Sequence, residues 1–323
     1  MTAITRRAII AGTAATAGAA TLGSLANAAA PLARLQGPGV YRLKLGSYQL
    51  TALYDGIWPV KIEDNFIRNV SAAEVNAALA AGFLAPGILP ISFTALLVNT
   101  GRKLVLIDTG TAGQVADSAG SMLGNLAVAG IKPAAIDTIL ISHFHPDHIN
   151  GIKTKDGAKV FPNAEILVPE PEWTYWMDDG NLAKAPSPAI RKYFLNARRI
   201  FRDIAKDIRR FKPGAEVAPG IASLAAFGHT PGHTAFAVSS GAETLLVMSD
   251  TARDPCLFIR HPQWQPSFDM DGPMAAAARI AMLDRAASDR MLVHGYHFPF
   301  PATGHIARDG KGFDLVPVLW QPL

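Results

Sequence analysis

Apolar and polar residues alternate in short runs along most of the chain, and glycine- and proline-rich turns separate the runs, which is the pattern of half-buried strands. Residues 40–45 (VYRLKL) and 48–54 (YQLTALY) flank Gly46-Ser47 and predict a hairpin. A second hairpin is predicted across Thr100-Gly101, from residues 93–99 and 103–107, ending at Asp108-Thr109-Gly110. Further strands are expected at residues 137–141, 164–168, 221–226, 234–238 and 244–248, with 291–293 as the last. Helical spacing takes over elsewhere. Ser71, followed three positions later by Glu74, forms a capping box that opens a helix to about Ala81. Residues 114–130 have helical periodicity weakened by Gly120 and Gly124. A long basic helix is expected over residues 190–211, with Phe194, Leu195, Ile200, Phe201, Ile204 and Ile208 along it, and another over 274–287. Two strand-rich halves, each followed by helices, predict an α+β fold of two packed sheets with helices outside.

The first thirty residues break this pattern. Arg6 and Arg7 precede a small-residue apolar stretch that ends at Ala-Asn-Ala-Ala, the form of a twin-arginine export signal. Residues 1–30 are therefore expected to be an address, with a periplasmic or secreted destination and no stable membrane anchor, and residues 31–323 a single domain. An apolar content of 49% over 323 residues supports a substantial core. Without the leader's two arginines the formal charge falls from +4 to +2, too little to presume a nucleic-acid partner. Cys256 is the single cysteine, so neither an internal disulfide nor a thiolate metal site is available.

Chemistry concentrates after the strand at 137–141, in SHFHPDHIN. Residues two apart in extended chain project to the same side, so His143 and His145 can offer two imidazoles to one cation, with Asp147 and His148 left for a neighbouring one. Downstream, GHTPGH places His229 and His233 in a turn between strands, where His233, entering the next strand, is the better ligand candidate and His229 sits behind it. Asp250 ends an apolar strand, and His294 and His297 follow the last one.

In order and spacing, HFHPDH, GHTPGH, Asp250 and a C-terminal histidine resemble the metallo-β-lactamase superfamily, and WTYWMDDGNLAK with YHFPFPATGHI is similar to its methyl parathion hydrolase branch. The resemblance implies a four-layer αββα sandwich and two divalent cations. Zinc is the first choice, with manganese, cobalt or iron as alternatives. It places His143, His145 and His233 on one cation, Asp147, His148 and His297 on the other, and Asp250 between them, with Asp147 and Asp250 also serving catalysis. Asp108, His229 and His294 would stand behind the ligands. Trp173, Trp176, Tyr193, Phe194, Met122 and Leu123 would line the substrate cleft. The branch also implies a homodimer.

The reaction expected is hydrolysis of an ester-type small molecule (a lactone, an aryl ester or an organophosphate triester) by a hydroxide shared between the cations. Asp250 stands where β-lactamases with a cysteine on the second metal carry that thiolate, which disfavours β-lactam hydrolysis. Two readings remain beside it: a thioester hydrolase of the glyoxalase II kind, and a non-hydrolytic iron redox protein on the same ligands. A metallonuclease is disfavoured by the charge, and a purely structural zinc by the surplus of ligands.

Overall fold

The computed structural model describes Leu32 and residues 36–323, with a compact unit over Pro38–Leu323. The leader expected at residues 1–30 lies outside the described residues. The first half of the unit comprises β1 (Val40–Leu45), β2 (Tyr48–Lys61), α1 (Ala72–Ala81), β3 (Ile88–Asn99), β4 (Leu104–Ile107), α2 (Met122–Val128) and β5 (Thr138–Leu140). It continues through α3 (Pro146–Ile149), β6 (Glu165–Pro169), α4 (Glu170–Met177), α5 (Asp179–Ala183), α6 (Pro188–Phe201) and β7 (Ile208–Phe211). The second half holds β8 (Glu216–Ala218), β9 (Ile221–Ala225), β10 (Thr234–Ser240), β11 (Glu243–Ser249), α7 (Gly272–Ser288), β12 (Leu292–Gly295), β13 (Thr303–Asp309) and β14 (Gly312–Pro317). Strands β1 to β7 form one seven-stranded mixed sheet in chain order, and β14 to β8 form a second.

Strand alternation builds the layers. Val105 and Ile107 of β4 join Leu140, Phe236, Leu245 and Val247 in a core between the sheets. The intervening Leu106 points to the opposite face, among Ile139, Phe194 and Ile200 under the first helical layer. On the other side, Leu246 and Met248 of β11 meet Leu283 and Ala286 of α7. The result is the αββα sandwich anticipated from the resemblance. Local signals hold where they are complete: Ser71 Oγ accepts the Glu74 N–H at 3.3 Å and the Glu74 carboxylate accepts the Ser71 N–H at 3.0 Å, starting α1.

Three expectations change. The long helix at 190–211 stops at Phe201, because its apolar face is spent on Phe194, Ala197, Ile200 and Phe201. After a 3-10 stretch, Ile208–Phe211 pairs in parallel with β6, and Ile208 and Phe211 point to opposite faces of the sheet. The helix at 114–130 shrinks to Met122–Val128, since Gly113 and Gly120 take left-handed backbone angles and Asp55 O accepts the N–H groups of Gly120 and Ser121. Finally, β12 is not the last strand, because β13 and β14 extend the second sheet. Among the described residues no helix is long and apolar enough to cross a membrane.

One feature of this scaffold is pH-sensitive. Burial pushes the Asp254 carboxyl up to about 6, against the pull of the Leu257 and Cys256 N–H groups. The fold thus prefers the neutral acid. The stability it confers is complete below about pH 4 and is lost as pH rises through about 6, by at most ~3 kcal/mol. Asp254→Asn keeps the Oδ1 that accepts the Leu257 N–H. It is expected to raise the melting temperature by a few degrees at pH 8 and to leave it unchanged at pH 4, and equal shifts at both pH values would refute the assignment.

Candidate metal centre

The site lies along one edge of the sandwich, where β5, β11 and β12 end and the β9–β10 loop crosses. His143 and His145 follow β5, Asp147 and His148 sit in the first turn of α3, and Asp250 follows β11. His297 lies in the turn after β12. These side chains converge as two groups of potential ligands: His143, His145, His229 and Asp250, and Asp147, His148 and His297. Asp250 stands between them. Its Oδ2 is 3.2 Å from His229 Nε2 and 2.9 Å from His297 Nε2, and its Oδ1 is 3.1 Å from His148 Nε2.

The partners behind the imidazoles decide which nitrogens face inward. His148 Nδ1 lies 2.8 Å from Asp108 Oδ2, His229 Nδ1 2.8 Å from Asp269 Oδ1, and His297 Nδ1 2.8 Å from the Ser92 carbonyl. All three partners only accept, so each Nδ1 carries the proton and each Nε2 presents a lone pair to the interior. His143 follows the same logic. Ser142 Oγ donates to Asp108 Oδ2 at 2.7 Å and so accepts from His143 Nδ1 at 3.0 Å. His145 turns the other way, its Nδ1 lying 3.0 Å from both His143 Nε2 and His229 Nε2.

Several lone pairs thus crowd one point, and the buried atoms His148 Nε2 and Asp250 Oδ1 lack a hydrogen bond. Such groups are costly without a cation to share, and imidazole with carboxylate is a donor set that divalent transition metals accept. The electrostatics agree. Burial, reinforced by neighbouring imidazoles, holds His143 and His145 well below the usual imidazole range, leaving neutral ligands. Burial also opposes charge on His148, yet Asp147, Asp250 and Asp108 outweigh it and hold its pKa well above normal. Asp147, despite burial, is pulled down to about 2 by His148 and His297.

The two histidines of GHTPGH exchange the places expected of them. His233 is buried but spent: its Nδ1–H donates to the Ala226 carbonyl at 3.0 Å and its Nε2 accepts the Asp250 backbone N–H at 3.1 Å. It therefore fixes the backbone of Asp250, while His229 joins the group of potential ligands. Gly228 permits the crossing, since its φ is +117° and a Cβ there would lie 2.2 Å from Ala275 N. His294 is also elsewhere, between Thr303 Oγ1 and the Thr94 carbonyl and away from the ligands. The Asp108 carboxylate lies behind His148.

The expected cleft lining is largely replaced. Tyr193 borders the cleft, its ring 4.9 Å from that of His145. Trp173, Trp176 and Phe194 are buried in the core, and so is Met122, whose N–H is held by Asp55 Oδ1 at 2.8 Å. Leu123 packs against the same core. The walls of the cleft come instead from Trp58, Ile91, Phe93, Phe268 and Arg253. These residues lie far from the histidines in sequence and gave no local signal. Asp269 and Tyr296 were also missed, although Tyr296, in HGYHFP, has its ring centroid 4.0 Å from that of His148, tilted by 35°, and donates to the Asp147 carbonyl at 2.6 Å.

Glu172 is a further unexpected support. Its carboxylate accepts from the N–H of Phe144 (3.0 Å), Gly232 (2.7 Å) and the Trp176 indole (2.7 Å), tying both histidine loops to α4. Glu172→Ala would strand three buried donors and is expected to cost roughly 3 kcal/mol or more, with weaker metal retention. Urea titration checks the first and dialysis with metal analysis the second; a loss under about 1 kcal/mol contradicts the role.

The profile of the metallo-beta-lactamase superfamily matches residues 91–297, and the chain belongs to that superfamily. Among solved structures it is similar to the hydrolase AbOPH of the beta lactamase superfamily, at 29% identity and a TM-score of 0.83, covering 89% of this chain and 100% of that one. It is also similar to AidC, a dizinc quorum-quenching lactonase crystallised with N-hexanoyl-L-homoserine as product, at 28% identity and a TM-score of 0.82, with 88% and 99% coverage. A probable metal-dependent hydrolase from Staphylococcus aureus, at 19% identity and a TM-score of 0.71, covering 87% of this chain and 100% of that one, shares the fold.

Proposed function

We propose that the chain is a hydrolase of small esters, with lactones as the first substrate class and aryl esters and phosphotriesters beside them, that works with two divalent cations. The observation that carries this reading is Asp250 set between two groups of inward-facing lone pairs. His143, His145 and His229 would hold one cation, Asp147, His148 and His297 the other, and Asp250 both. When bound, such a pair supplies Lewis acidity and activated water.

The chain's own part is to keep the ligands oriented. Asp108, Asp269 and Ser92 fix the imidazole tautomers, and Tyr193, Phe93 and Phe268 give the cleft an apolar wall suited to acyl or aryl groups. The lactonase AidC and the hydrolase AbOPH, both above one-quarter identity over nearly the whole chain, support a hydrolase of this kind. The segments resembling the methyl parathion hydrolase branch are the reason phosphotriesters stay among the substrates to test. Zinc remains the first choice of metal.

Metal quantitation on the purified protein should give about two equivalents per chain. Turnover of an acyl-homoserine lactone, an aryl ester or a phosphotriester should vanish on chelation and return with zinc, manganese or cobalt. Full activity after complete metal removal would overturn the proposal.

A further inference from the structure

Arg253 is a buried cation in the wall of the cleft, its side chain only 8% exposed. It shares that wall with Asp250, Asp147, His145 and His297. A guanidinium in such a place ordinarily pairs with a carboxylate in a two-pronged hydrogen bond. This one does not. Its Nη2 is buried without a hydrogen bond, and among the described residues the carboxylate within 4.0 Å is Asp269, at 3.7 Å, beyond hydrogen-bonding distance.

Asp269 is already committed. Its Oδ1 accepts from His229 at 2.8 Å and its Oδ2 from Arg279 at 3.0 Å. Arg279 is satisfied in turn by the carbonyls of Thr251, Pro262 and Trp264. Two buried guanidiniums thus share one carboxylate, and the surplus positive charge falls on Arg253. What holds Arg253 is aromatic: its guanidinium carbon lies 4.9 Å from the Phe268 ring centroid and 5.4 Å from that of Phe258. Cation–π contacts steady the position of the group and leave its in-plane N–H donors free.

A fixed, partly desolvated cation with free donors in a substrate cleft is a receptor for an anion. We propose that Arg253 is a specificity-determining residue that binds a carboxylate carried by the substrate, so that the preferred substrates are esters or lactones bearing a free carboxylate besides the group that is hydrolysed. This rests on the ester-hydrolase reading and narrows its substrate class. A charge-assisted hydrogen bond contributes roughly 1.5–3 kcal/mol, which corresponds to about a 10- to 150-fold preference for the anionic member of a matched pair.

The test uses the metal-loaded enzyme with the 4-nitrophenyl monoester of adipic acid and the methyl ester of that compound, which has the same chain without the charge. The wild type should favour the free acid by about 10-fold or more in kcat/KM, chiefly through KM, since the contact is made equally before and during reaction. Arg253→Met keeps the apolar stem between the rings. It should abolish the preference, read as the ratio of kcat/KM for the two esters on the same preparation. Arg253→Lys, which keeps the charge but lacks the fork, should retain part of it, and it serves if the Met variant fails to fold. Lack of a preference in the wild type, or a preference that persists in Arg253→Met, overturns the proposal. Failure to hydrolyse either ester or any lactone would instead count against the ester-hydrolase reading.

Discussion

Asp250→Asn is expected to lower kcat/KM by about three orders of magnitude or more, ~4 kcal/mol of transition-state stabilisation. Its two oxygens touch imidazoles of both ligand groups, with Oδ2 near His229 and His297 and Oδ1 near His148. The amide matches the carboxylate in shape but brings no negative charge and puts an NH2 where one lone pair must face a cation. Burial opposes the charge on Asp250, yet His297 and His148 hold its carboxyl well below the usual range, so the ionised form is the one the site is built around. Steady-state kinetics with metal analysis on the same preparation decide the matter. A variant that keeps two metals and more than one-tenth of wild-type activity would show that Asp250 does not join the two halves of the centre.

Removing His229 should be as damaging, whereas removing His233 should not. His229→Ala deletes an inward lone pair and leaves Asp269 without its imidazole partner, so metal content should fall toward one equivalent and activity by about 10³-fold, an effect of the size set by loss of a principal electrostatic group. His233→Ala deletes hydrogen bonds to the Ala226 carbonyl and the Asp250 N–H inside a packed core. The expected result is a stability loss of roughly 2–4 kcal/mol with two metals still bound at saturating zinc. Metal content by elemental analysis and unfolding by urea separate the two variants. Should His233→Ala lose metal while His229→Ala retains it, the exchange of roles drawn from the structure would be wrong.

That exchange shows where sequence reasoning stops. His143, His145, Asp147 and His148 were legible because their convergence is local: a strand end and one helical turn bring four side chains together whatever surrounds them. His229 and His233 lie in the same turn, and which of them keeps a free nitrogen depends on the Asp250 backbone, seventeen residues away. His294 and His297 differ likewise. His294 is within β12 and is taken up by Thr94 and Thr303, whereas His297 is in the turn beyond and faces Asp250.

The aromatic residues tell the same story. Trp173, Trp176 and Phe194 lie in segments that run past the site, but the helical layer needs their area more than the cleft does, and they pack beneath it. The cleft wall is drawn from β2, β3, α6 and the stretch between β11 and α7, which carry no common motif. Residues 208–211 read as the end of a helix, yet pairing with β6 sends Ile208 and Phe211 into cores on opposite faces of the sheet, whereas a helix would put residues three apart on one face.

By itself the sequence determined the alternating pattern that makes two sheets, the capped start of α1, and the dense cluster of imidazoles and carboxylates after β5, all set by neighbours within a few positions. Tertiary structure alone decided which of two nearby histidines faces the centre, which aromatic rings border the cleft, and that Arg253 is left without a carboxylate. Each of these turns on a partner brought close by folding, and a lone pair, a buried surface or an unmatched charge has no signature until that partner is in place.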